Sequence, residues 1–127
     1  MYKAGTVAEL EALELDGKIP IEVHEEALKI VTMLDEHFGE DRDVDDDDGG
    51  FVFIAESKED LDYFVHRCVG LPELIFEYVE LVPSVKEPYL NVFFLVNEYE
   101  YGMTLFVPVS IAPEIFLKAV NVSAVHR

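Results

Sequence analysis

YLNVFFLVNEYEYGMTLFVPV, residues 89–109, reads as two β-strands joined by a turn at Glu100, Tyr101 and Gly102. Val92 to Val96 is apolar at both parities of an extended chain, so the first strand is expected to be central, with both faces covered. In the second strand Pro108 has no N–H to give a ladder, which predicts an edge position or an end to pairing at that residue. Two further extended runs come before the hairpin. LIFEYVELV, residues 74–82, has the Phe, Tyr and Val content and the length of a strand, and PSVKEP, residues 83–88, turns the chain toward Tyr89. FVFIA, residues 51–55, is a shorter run of the same kind.

Helical signals surround these runs. Thr6 and Glu9 have capping-box spacing, Val7, Leu10 and Leu13 follow at helical intervals, and Gly17 offers a stop. Pro20 suits the first position of a helix, and IEVHEEALKIVTMLDEHF, residues 21–38, places Val23, Ala27, Ile30, Leu34 and Phe38 on one stripe before Gly39. Ser57 is an N-cap for KEDLDYFVHRCVG, residues 58–70, where Leu61, Phe64, Val65 and Cys68 form a stripe that Gly70 and Pro72 close. Ala112, Pro113 and Glu114 begin a last helix through Val120. The order is helix, helix, strand, helix, strand, strand, strand, helix. Strands joined by short turns predict the α+β class, with a mostly antiparallel or mixed sheet of about four strands carrying about four helices. Residues 1–127 are expected to form a single domain: a helical part over 1–39, an acidic loop over 40–50 and a sheet-containing core over 51–127. At about 38 residues the first two helices are too few to hold a separate core.

The charge is as uneven as the secondary structure. The 127 residues include 27 acids and 9 Lys or Arg, a formal net charge of −18. Residues 1–62 carry 20 acids and 5 bases, whereas residues 63–127 carry 7 acids and 4 bases. The densest stretch, DEHFGEDRDVDDDD at 35–48, holds 9 acids and one Arg. Aromatic residues run the other way, since 13 of 15 Phe and Tyr lie from Phe51 onward. A field of this sign repels phosphate backbones and anionic headgroups, which argues against direct nucleic-acid or membrane binding and favours a basic partner or cations. The start of the chain has no basic region followed by an apolar one, and no run approaches a membrane span, so a cytoplasmic location is expected.

Few motifs carry chemistry. DDDDGGFVFIAE, residues 45–56, sets Asp45, Asp47, Gly50 and Glu56 at positions 1, 3, 6 and 12 of a calcium loop, where carboxylates and a glycine turn wrap a hard cation. Gly49 at position 5 and Phe53 at position 9 depart from the pattern, and a solvated acidic loop before a strand is the simpler reading. His24, His37, His66 and His126 share no metal-ligand spacing. Asp62 and His66 are four apart, an ordinary helical ion pair, and Cys68 diverges from His66, so it reads as a small buried hydrophobe. No phosphate loop, nucleophile elbow or dinucleotide fingerprint is present. Tyr89, Tyr99 and Tyr101 flank the hairpin, where cross-strand packing is favoured over an exposed aromatic patch.

Three function classes follow. The favoured one is a non-enzymatic interaction or regulatory protein, of antitoxin, immunity or charge-mimic type, whose Asp41, Asp43, Asp45, Asp46, Asp47 and Asp48 engage a basic partner. The alternative is weak binding of calcium or magnesium by Asp45, Asp47 and Glu56. The third is a small enzyme whose site lies after Gly50, with no residue pattern that names its reaction.

Overall fold

The computed structural model describes residues 2–13, 19–38, 51–64, 78–94 and 103–125. Along the chain these form β1 (Tyr2–Ala4), α1 (Val7–Ala12), α2 (Ile21–Phe38), β2 (Phe51–Ile54), α3 (Lys58–Tyr63), β3 (Tyr78–Val82), β4 (Tyr89–Phe94), β5 (Met103–Pro108) and α4 (Glu114–Val125). The class is α+β, as the turn-linked strands predict. The sheet has one strand more than expected, because Tyr2–Ala4 pairs antiparallel with β2 within the part of the chain that reads as wholly helical.

The strand order is β1-β2-β5-β4-β3. β3, β4 and β5 form an antiparallel meander, while β2 runs parallel to β5 with Phe53 opposite Leu105 and Ile54 opposite Phe106. β5 is therefore the middle strand. Pro108 is accommodated there because it is the last residue of the strand, and the next amide, Val109 N–H, donates to the Pro88 carbonyl at 3.0 Å. β4 is an interior strand, as expected, and Tyr89, Leu90, Asn91 and Val92 are buried in succession, so both faces are covered there; of the apolar run Val92 to Val96, Leu95 and Val96 lie outside the described residues.

Strand alternation sends two sets of side chains to two different helical layers. Phe53, Val79, Leu90, Val92, Leu105 and Val107 meet Leu61, Phe64 and Phe116 from the α3 and α4 side. There the Phe53 and Phe64 rings meet edge to face, with centroids 5.0 Å apart. Ala4, Val52, Ile54, Val82, Tyr89 and Phe106 meet Leu10, Ile19, Val23, Ala27 and Val31 from the α1 and α2 side. The two N-terminal helices are thus one outer layer of a common fold, not a lobe apart. The buried stripe of α2 runs Val23, Ala27, Val31, Leu34, with Ile30 half-buried at its margin. Val31 lies four residues from Ala27, on the row that faces the sheet. Pro20 stands one position before the expected one: its carbonyl accepts from His24 N–H at 3.2 Å, so it flanks the helix rather than opening it.

Residues 65–77 and 95–102 lie outside the described residues, with Val65, His66, Cys68, Tyr99 and Tyr101 among them.

Candidate functional site

The most distinctive surface is the outer layer made by α1 and α2. Its described helical residues include seven acids, Glu9, Glu11, Glu22, Glu25, Glu26, Asp35 and Glu36, and one lysine, Lys29. Lys29 sits 3.1 Å from Glu26 in an exposed pair three residues apart, a contact of small energetic weight that locally offsets one acid. α3 and α4 on the other face carry four acids and two lysines. Among the described helical residues the α1 and α2 side is therefore the more negative, with a net of 1 − 7 = −6 against 2 − 4 = −2.

Two of the seven acids have structural work. Glu9 N–H donates to Thr6 Oγ1 at 3.1 Å, the cap expected from the sequence, while the Glu9 carboxylate accepts from Gly5 N–H at 2.8 Å, one residue before the Thr6 amide that a capping box would engage. Asp35, the first acid of the densest acidic stretch, accepts from Val7 N–H at 3.0 Å through Oδ2 and so ties α2 to the first turn of α1. Its other oxygen, Oδ1, is buried without a hydrogen-bond partner. A carboxylate at this point is favoured by the partial positive charge of the helix start. Glu11, Glu25 and Glu36 are exposed.

Asp41, Asp43, Asp45, Asp46, Asp47 and Asp48, the residues expected to contact a partner, lie outside the described residues, as do two of the three expected cation ligands, Asp45 and Asp47. The third, Glu56, is exposed just beyond β2. Residues 51–54 are extended, which at about 3.3 Å per residue carries the chain steadily away from residue 51. There Glu56 accepts a hydrogen bond from the Tyr2 side chain, and its own N–H donates to Asp60 Oδ2 at 3.0 Å. Among the described residues, no group of three or more His, Cys, Asp or Glu is arranged to hold a metal ion.

Glu56 belongs instead to a small tyrosine and carboxylate cluster at the sheet end formed by the start of β1, the end of β2 and the start of β4. Burial, the hydrogen bond to Glu56 and its negative charge push the Tyr2 hydroxyl above its usual value. Burial, with the charges of Glu87 and Glu56, pushes Tyr89 up to about 12. Asp60 moves down: partial burial opposes its ionisation, but this is outweighed by favourable contacts of the charged form, led by the backbone hydrogen bond from Glu56 and including a lesser one from Ser57. The Ser57 hydroxyl accepts from Asp60 N–H at 3.2 Å, so α3 is capped just as α1 is. Tyr89 is 4% exposed and belongs to the core, as cross-strand packing predicts. The exposed aromatic side chains among the described residues are Tyr63 and Tyr78, and the Tyr78 ring stacks on Phe93 at 5.3 Å.

A shallow cleft of about 390 Å³ opens at the same end of the sheet, between the start of α2 and the turn joining β3 to β4. Ile19, Pro20, Ile21 and Glu22 form one wall, and Ser84, Val85 and Lys86 the other. No run of sequence announces this cleft, because its walls are about 60 residues apart and each is unremarkable alone. Among the described residues, no helix is long and apolar enough to cross a membrane. No known family model, curated protein or solved structure matches the chain.

Proposed function

We propose that this chain is a binding module for a basic protein surface, acting through its acidic N-terminal half and not through catalysis. The observation that supports the reading is the asymmetry of the two helical layers, with seven acids against one lysine on α1 and α2 and four against two on α3 and α4. The sequence after α2 extends the same bias through Asp41, Asp43 and Asp45 to Asp48. Charge of one sign gathered on one side makes a directed field, which speeds encounter with a cationic protein and orients it on arrival. Spread evenly, the same charge would serve solubility alone. The partner class is a protein or segment rich in Lys and Arg, of the kind met by an antitoxin, an immunity protein or a mimic of nucleic-acid charge. The field disfavours nucleic acid itself.

A peptide of alternating Arg and Ser is a suitable probe. Its association rate with the chain is expected to fall about tenfold or more between low and high salt, as steering is screened. Replacing Asp by Asn together at residues 41, 43 and 45–48 is expected to reproduce much of that loss at low salt. Binding that ignores both salt and the six substitutions would overturn the reading.

A further inference from the structure

The cleft between the start of α2 and the β3–β4 turn combines a largely apolar lining with an acidic border. On the α2 wall Ile19 and Pro20 are buried and Ile21 is 67% exposed, and on the opposite wall Val85 is 98% exposed. Single exposed aliphatic residues are ordinary on any protein, but here two of them face solvent across one concavity. The first two turns of α2, which continue from one rim, add Glu22, Glu25 and Glu26, whereas Lys86 is the single base of the lining. An apolar anchor point beside a charged border is the usual anatomy of a protein-binding site, where the central side chain fills a pocket and the rim sets orientation.

We infer that this cleft anchors a basic segment of the partner protein by one branched aliphatic or aromatic side chain, with the segment's Lys and Arg residues lying along α2. The inference rests on the reading of the chain as a module for basic proteins and adds where the partner docks and what it must present. Charge complementarity selects this occupant over a second copy of the chain, because two acidic α2 helices brought together at the cleft would repel. Lys86 sets the polarity: cations belong on the α2 side of the anchor and not on the β3–β4 turn side.

Two fluorescent peptides of equal length and charge distinguish the alternatives, both of alternating Arg and Ser, one with a central Leu and the other with a central Ser. At low salt the Leu peptide is expected to bind the intact chain about tenfold more tightly than the Ser peptide. The double variant Ile21→Ser, Val85→Ser is expected to erase that preference while leaving the Ser peptide's affinity unchanged. Both side chains are exposed, so the variant keeps its fold, which far-ultraviolet circular dichroism checks. Equal binding of the two peptides, or a preference that survives in the double variant, overturns the anchoring cleft but leaves the acidic module standing, provided high salt releases both. Failure of both peptides to bind at low salt overturns the module and the cleft together. A dimer of the intact chain that becomes a monomer in the double variant identifies a second copy as the occupant and overturns the inference.

Discussion

Tyr89 carries the clearest consequence of a single side chain's surroundings. It is 4% exposed, opposite Pro108 at the end of the central strand pair, and its hydroxyl titrates near 12 against an ordinary 10.0, chiefly through burial and then through Glu87 and Glu56. Between those two values the unfolded chain gives up a proton that the folded chain keeps. The contribution of Tyr89 to stability is therefore complete below pH 10 and is lost as pH rises through 12. Tyr89→Phe is expected to flatten this alkaline loss, seen as a smaller drop in the urea midpoint between pH 9 and 11.5, and to remove a step at about 12 from the tyrosinate absorbance titration. Asn91, two residues further along β4, makes a different point. It is 5% exposed on an interior strand, and its side-chain carbonyl oxygen is buried without a partner, a penalty the surrounding apolar packing has to absorb.

At the level of elements, α1 and α3 are built alike. Each is six residues long, follows a sheet strand, and is started by a hydroxyl that accepts an N–H from the residue three on, with that residue's carboxylate accepting a backbone N–H in return. Helices this short are marginal without such caps and without packing. α1 has an additional tie in Asp35, so Asp35→Ala is expected to cost about 1–2 kcal/mol in denaturant unfolding. The loss should be accompanied by faster hydrogen exchange at the amides of α1, with β4 and β5 little changed. The caps at Thr6 and Ser57, the meander and the end of β5 at Pro108 were all legible in the sequence, because each depends on neighbours in the chain. What was not legible depends on neighbours in space. β1 is three residues long, too short for any periodicity, and exists because β2 offers it an edge. Ile30 and Val31 are both apolar, so only the sheet decides which faces inward. Asp35 is one acid in a run of acids until Val7 is found beside it. The cleft pairs residues whose proximity no local pattern encodes.

For the whole molecule, the dominant quantity is the field. A net charge of −18 on a chain of 127 residues opposes its own compaction, and screening relieves that strain. Raising NaCl from 20 to 500 mM is expected to lift the thermal midpoint by about 4 °C, roughly what 1 kcal/mol gives in a domain of this size. An unchanged midpoint would mean that the acids are already compensated in pairs. The same charge has a bearing on how the chain is made. β2 finds its inner neighbour only in β5, some 50 residues further along. A ribosome delivers Val52, Phe53 and Ile54 long before Leu105 and Phe106 exist to cover them, an interval in which bare apolar strands invite aggregation. The stretch already delivered by then carries 20 acids against 5 bases through Asp62. Mutual repulsion between nascent chains of this charge opposes contact between unfinished sheets, so the acidity proposed above to engage a basic partner also serves to keep copies of the chain apart during synthesis.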